Sequence, residues 1–286
     1  MTDQTLETIA RFEGIALGVW ILLFTLAELA RPAVPWSDRT DRRRHRLVDG
    51  LALLLVGLFA GLGRQLYVRL FRPLEGDAAG LLASLHGLPL ALRLALSLIL
   101  LDLCLYAIHR AMHRIPCLWR LHDFHHSAEH VWWLSGFRTS LGHALLFGLP
   151  QVVVPFLIFG LEGEALAMAF AVGLVIQFWP HANLSVRLGP LERILITPDA
   201  HRIHHSLVRE EQDANFGVLF SVWDQLLGTW IPPRQTEPEV FGLDESRPLV
   251  WMVLGLPSRV TPRDRSGESE LSGTSSALAT SNNEGG

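Results

Sequence analysis

The sequence predicts an all-α integral membrane protein with about four to five membrane helices, including a tight hairpin, and a helical cytosolic cap carrying a histidine-rich dimetal site. Three observations predict this class. Of 286 residues, 49% are hydrophobic and 18% charged, against roughly 25% charged in soluble proteins, and the mean hydropathy is +0.29. The apolar residues fall in runs of membrane-crossing length. Thirteen residues are histidine, and most of them cluster just beyond the ends of those runs.

A helix needs roughly 17 to 25 residues to cross a hydrocarbon core of about 30 Å. Phe12 to Ala30 is the first candidate, with Glu13 and Glu28 near its ends. It lacks the basic leading stretch of a signal peptide, so a retained helix is expected. Leu47 to Gly63 is second, short and dotted with glycine. The third runs from about Leu88 to Ile108, interrupted by Arg93 and Asp102. Ala144 to Gly160 and Ala165 to Trp179 are separated only by Leu161 to Glu164, which predicts an antiparallel hairpin or a deep re-entrant unit. After Ile231 the chain turns polar, and from about residue 262 it is rich in Ser, Gly, Thr and Asn, the composition of a disordered tail. The expected organisation is therefore membrane helices and a basic loop over 1–87, a domain over 88–231 that holds the remaining apolar runs, and a polar extension over 232–286.

Cytoplasmic loops are enriched in basic residues, and the stretch from Arg31 to Arg46 contains six arginines. That places this loop inside, the N-terminus outside, and 109–143 together with the chain from His181 onward in the cytoplasm. Every dense histidine cluster then lies on one face, in a membrane expected to be the bacterial inner membrane. The outer loop Arg64 to Arg72, with three arginines, is the one discordant segment. All 24 basic residues are arginine, and a net charge of −4 leaves no footprint for nucleic acid. Two cysteines, Cys104 and Cys117, are too few for a disulfide framework, a C-x-x-C pair or an iron–sulfur cluster.

The histidines fall into ordered groups: His109 and His113 in IHRAMHR; His122, His125 and His126 in LHDFHHS; His181 alone in FWPHANL; and His201, His204 and His205 in AHRIHHS. Residues three and four apart share a helix face, so each cluster is expected to aim two or three imidazoles at one point. A closed zinc site takes four ligands; nine histidines suit two metals held close together with positions left open. Imidazole accepts iron, zinc, copper and nickel alike. The bland reading of an isolated H-x3-H is interfacial anchoring, and that of His181 a satisfied histidine at a helix end. His45, His86, His130 and His143 match no spacing and read as structural, with His130 and His143 the better candidates for an outer layer. Asp123, Asn183, Asp199, Asp213 and Asp224 could receive the second ring proton of a ligating histidine, although Asp199 reads first as a helix cap. Arg138 and Arg202 are expected at lipid phosphates, and Trp119, Trp132, Trp133, Trp179, Trp223, Trp230 and Trp251 first in an interfacial belt, with a substrate-channel lining as their second reading.

Taken in order, HRAMH, LHDFHHS, FWPHANL, TPDAHRIHHS and DANFGVLFSVWDQLLGTW resemble the fatty acid hydroxylase and sterol desaturase superfamily of membrane-bound non-haem di-iron oxygenases, over about Leu90 to Trp230. The resemblance implies that His109, His113, His122, His125, His126, His181, His201, His204 and His205 ligate two iron ions, which zinc could replace on purification, beneath a cytosolic cap. It further implies O2 as co-substrate and attack on lipid C–H bonds. Two departures stand out. Where many relatives carry R-x-H-P, this chain has Arg138-Thr-Ser, closer to the ether-lipid-cleaving alkylglycerol monooxygenase branch. Some relatives also have a histidine four residues after the one matching His181; here that position is Ser185, so one metal would have a sparser shell, or Asn183 or a water would stand in.

The expected activity is hydroxylation or desaturation of a sterol, fatty acyl or related lipid taken from the bilayer. The electrons must come from outside, from a ferredoxin or a cytochrome with its reductase, because the chain has no G-x-G-x-x-G fingerprint, cysteine cluster or haem-binding segment. A histidine-rich metal transporter or sensor is the rival from another class. It calls for ligands and polar residues within the spans, where this chain has few.

Overall fold

The computed structural model describes residues 3–36, 39–71, 82–233, 238, 240–257 and 261–262; the polar tail expected beyond residue 262 lies outside them. Helices α1 (Asp3–Ala30) and α2 (Arg39–Phe71) are followed by the short α3 (Ala83–His86) and by α4 (Leu90–Arg114). Next come α5 (Pro116–His126), α6 (Leu141–Val152) and α7 (Gly163–Phe178), then α8 (Pro198–His204), α9 (Arg209–Gln212), α10 (Val222–Leu227) and α11 (Leu249–Leu254). The only strands among the described residues are a two-residue antiparallel pair, Glu245–Ser246 with Thr261–Pro262. The predicted helical class is what the chain adopts.

Among the described residues, three segments are long and apolar enough to cross a membrane: Ala10–Ala30, Leu90–Arg114 and Leu141–Ile158. The second expected run lies within the 33-residue α2. Helix α7 has 16 residues, which at 1.5 Å per residue reach about 24 Å, short of a full hydrocarbon core. Leu22, Leu26, Leu54 and Leu58 are each more than half exposed. Leucines exposed in such numbers along two helices are rare on soluble monomers and suit contact with lipid.

Helix α1 packs along α7, α2 along α6, and α4 against α5 and the end of the hairpin's first arm. That arm contains Pro150 and continues through a π-helical turn, Val153–Ile158, where proline removes a backbone donor and the ladder widens. Arg93 closes the hairpin by donating from Nη1 to the carbonyls of Phe159 (3.1 Å) and Gly160 (2.9 Å). Gly160 has φ +56°, and a Cβ there would stand 2.9 Å from the His86 ring; both facts require glycine.

Buried acids bind the membrane helices to the cap. Asp49 of α2 accepts from Arg138 Nε (2.5 Å) and Trp132 Nε1 (2.6 Å). Glu28, at the end of α1, accepts from the backbone N–H groups of Trp133 (2.8 Å) and Asn183 (2.7 Å). Asp102 of α4 accepts from Leu219 N, Phe220 N and Trp223 Nε1. These contacts correct three expectations. Arg138 is buried against Asp49 rather than facing phosphate. Trp132 and Trp133 belong to an apolar cluster with Phe24 and Phe178, not to an interfacial belt. Arg202 pairs with Asp199, and helix α8 is capped by Thr197, which accepts from Ala200 N (3.3 Å). Pro198 occupies the first helical position, and this moves the cap one residue upstream of it.

Candidate metal centre

All nine histidines singled out by the sequence are buried, and they meet at the junction of α4, α5, α8 and the start of the loop after α7. They form two groups, each with one ring nitrogen per residue lying within 4.8 Å of the others: His109, His113, His122, His126 and His204 in one, and His125, His181, His201 and His205 in the other. Each H-x2-H-H run aims two of its three imidazoles at one point, and the third goes to the other group. His122 and His126, one turn apart on α5, enter the five-histidine group while His125 enters the other. In the second run His201 and His205 enter the four-histidine group while His204 crosses to the first. Adjacent helical residues point about 100° apart, so one such run placed between two sites serves both. The groups adjoin through His126 and His205, whose rings stack at 4.7 Å.

Backbone carbonyls set the ring orientations. A carbonyl only accepts, so an imidazole nitrogen facing one must carry the proton, leaving a lone pair on the other nitrogen. His109 Nδ1 donates to Phe216 O (2.8 Å), His204 Nδ1 to Ala214 O (2.8 Å) and His181 Nδ1 to Gln177 O (2.9 Å). His113 Nδ1 lies 3.3 Å from Asp213 Oδ1. Four Nε2 lone pairs are thereby turned inward. His181 Nε2 then lies 3.0 Å from His125 Nε2 and 3.1 Å from His201 Nε2. The inward Nε2 atoms of His113 and His204, and both ring nitrogens of His126 and His205, are buried with no hydrogen-bond partner among the described residues. Buried polar atoms are rarely left so; convergent lone pairs at these distances are what a cation satisfies. The donor set, neutral imidazole throughout, fits iron or zinc. Burial pushes His122, His125, His126, His201, His204 and His205 well below the usual imidazole range, with neighbouring histidines adding to the effect. His181 is lowered to about 4 by the same desolvation. All seven are held in the neutral form that ligates metal.

The sequence did not indicate how these carbonyls are presented. Asn215, at φ +50°, donates from Nδ2 to Ala200 O (2.8 Å) and Ile231 O (2.9 Å) and accepts from Ile231 N. Asp224 accepts from Phe216 N and Gly217 N, both at 2.8 Å, and from Thr229 Oγ1 at 2.7 Å. The segment DANFG…WD…GT is therefore a clamp that aims the Ala214 and Phe216 carbonyls and the Asp213 carboxylate at three histidines. Of the five acids and amides expected to support the centre, only Asp213 touches a histidine of either group. Asp123 pairs with Arg247, and Asp199 with Arg202. Asn183 bonds Val34 and His130, so it does not stand in for the missing histidine at Ser185.

The four remaining histidines divide. His45 bonds Arg138 Nη2 (3.0 Å), His86 contacts Leu157 O (3.3 Å), and His130 stacks on Trp36 at 3.7 Å. His143 reaches the centre, with Nδ1 3.0 Å from His122 Nδ1. It also lines a cavity of about 350 Å³ between α1, α2, α6 and α7, whose walls include Leu17, Leu53, Phe147 and Phe170.

The family model described as fatty acid hydroxylase matches residues 94–229. Among curated proteins the chain is 35% identical to an ornithine lipid hydroxylase of Rhizobium tropici over 155 residues, which is 53% of this chain and 46% of that protein. It is 36% identical over 85 residues to an alkylglycerol monooxygenase of Xenopus tropicalis, covering 30% of this chain and 19% of that one. With the alkylglycerol monooxygenase of Homo sapiens it shares 41% identity over 70 residues, 24% of this chain and 15% of the relative. The chain thus spans less than half the length of these relatives. No solved structure matches it.

Proposed function

We propose, on the match of residues 94–229 to the family model described as fatty acid hydroxylase, that the chain belongs to that family and is a membrane-bound di-iron oxygenase that inserts oxygen into a C–H bond of a lipid. The observation that carries this reading is the pair of buried all-histidine groups with lone pairs turned inward, beside a mostly apolar cavity. In the proposal His109, His113, His122, His126 and His204 hold one iron, and His125, His181, His201 and His205 hold the other within a catalytic domain over 88–231. Iron bound there would supply the activation of O2 needed to attack an unactivated alkyl carbon. The balance is R–H + O2 + 2 e⁻ + 2 H⁺ → R–OH + H2O. Desaturation would instead remove a second hydrogen and release two waters.

The chain's own residues bind, orient and shield. Leu17, Leu53, Phe147 and Phe170 would hold an alkyl chain that enters sideways from the bilayer. Near-complete burial of the nine imidazoles keeps bulk water from the reacting carbon. The carbonyls of Ala214, Phe216 and Gln177 fix the ring orientations of His204, His109 and His181. Electrons would come from a ferredoxin or a cytochrome with its reductase, since the chain has no cluster or dinucleotide fingerprint of its own. The arginines between Arg31 and Arg46 support a cytoplasmic centre in a bacterial inner membrane. Cleavage of an ether lipid is a second reading, favoured by the matches to alkylglycerol monooxygenases.

Metal analysis of the purified protein tests the proposal. About two irons per chain are expected, and His204→Ala should lower metal content and abolish O2-dependent lipid product together. Full metal content in that variant, or product formation without O2, would overturn it.

A further inference from the structure

His143 is the one histidine that touches both the five-histidine group and the cavity. Its place is fixed twice. Ser140 Oγ caps α6 by accepting from His143 N (3.1 Å) and donates to Leu121 O (2.6 Å), which ties the first turn of α6 to the turn of α5 that bears His122. The imidazole packs on Phe147 at 4.4 Å, and the residue is only 4% exposed. Nδ1 faces His122 Nδ1, which leaves Nε2 for the cavity that the side chain lines.

The direction of this hydrogen bond follows from proton counting. His122 Nε2 is turned into the five-histidine group, 3.0 Å from His109 Nε2, whose own proton sits on Nδ1 against Phe216 O. When His122 ligates a metal through Nε2, its single proton must be on Nδ1, so His122 donates to His143. His143 Nδ1 is then the acceptor, and its proton is on Nε2. Without metal, His122 Nε2–H can donate to the His109 lone pair, and the relation between His122 and His143 reverses. Metal binding therefore sets His143 as a fixed N–H donor at the end of the cavity nearest the centre.

Resting on the di-iron reading above, we propose that His143 is a specificity-determining residue that selects lipids carrying an acceptor oxygen, such as an ether or ester oxygen, within a few bonds of the reacting carbon. A plain hydrocarbon segment would leave a buried N–H unpaired at that point, a mismatch that binding sites reject. The oxygen also orients the chain, because Phe147 and Ala144 beside His143 offer apolar contact that tolerates sliding; the other polar side chains on the wall are Glu13, Tyr67, Thr139, Gln151 and Gln177.

The test uses the full chain in detergent micelles, loaded with zinc so that no turnover intervenes, with binding of two probes followed by tryptophan fluorescence. One probe is a long-chain alkyl methyl ether; the other is the alkane of equal length with methylene in place of the ether oxygen. The wild type should bind the ether about three- to tenfold more tightly, the value of one net hydrogen bond. His143→Phe should keep two metals per chain and bind the alkane as the wild type does, yet lose the preference. His143→Gln, whose amide can accept from His122 and donate to the cavity, should restore most of it. Equal binding of both probes by the metal-loaded wild type, or a preference that survives His143→Phe, overturns this inference while leaving the di-iron reading intact. A wild type that takes up no metal overturns both.

Discussion

At the scale of single residues, close approach decides which substitutions the centre tolerates. Gly136 lies beneath His181, and a Cβ on it would stand 2.8 Å from His181 Nδ1 and 3.2 Å from its Cγ. The His181 ring is already held between the Gln177 carbonyl and two other imidazoles, so it cannot give way without leaving the four-histidine group. Gly136→Ala is therefore expected to bring metal content from about two to about one per chain, with the five-histidine group still loaded; elemental analysis of the purified variant checks this. Gly217 is constrained in the same manner by Asp224 Oδ2, 2.9 Å from its would-be Cβ. Burial raises the Asp224 carboxyl to about 6, against the lowering effect of the hydrogen bonds it accepts.

At the scale of elements, the centre depends on segments distant in sequence being held to α4. Asp102 gathers three donors from the 219–223 stretch, at 2.9, 3.1 and 2.8 Å, and that stretch is continuous with the clamp whose Phe216 carbonyl orients His109. Asp102→Leu leaves three donors unpaired at a cost of about 1–3 kcal/mol each. We expect it to lower the thermal midpoint in detergent and to weaken metal retention, with Asp102→Asn, which keeps one acceptor, falling between. An unchanged midpoint in the leucine variant would show that the tie carries no load. The elements themselves were largely legible. Long apolar runs and H-x3-H spacing marked α1, α4, α6 and α7, because burying an apolar stripe repeats along the chain. The splitting of each H-x2-H-H run between two groups was not legible, because it depends on which neighbouring helix faces each side of α5 and α8.

At the scale of the whole molecule, the cap is seated on the membrane helices by buried charge. Asp49 and Arg138 are almost fully buried, and removing one partner of such a pair strands the other at about 3–5 kcal/mol. Asp49→Ala should therefore destabilise the protein by about that amount, read as the shift in its unfolding transition, and should loosen the 132–138 turn that carries Gly136. The cavity gives a prediction of a different kind. Gly173 lines it opposite Gln151, its would-be Cβ 3.4 Å from Gln151 Oε1. Gly173→Leu is expected to fill that part of the cavity and shift the preferred substrate to shorter chains with metal content unchanged; a competition assay over a series of chain lengths would show it.

The sequence alone determined a helical chain with apolar runs of membrane-crossing length and nine histidines at spacings that suit metal, since hydropathy runs and helical spacing are local properties of the chain. Arg138, Arg202, Trp132 and Trp133 depart from the expected positions for the same reason. Arg138 and Trp132 looked interfacial by position, yet Asp49, some ninety residues upstream of Arg138, draws both inside. Only the tertiary structure decided which histidines share a site, which carbonyls fix their protons, and that His143 joins the centre to the cavity. Those relations depend on lone pairs and N–H groups meeting across elements far apart in sequence, and no spacing rule along one chain records them.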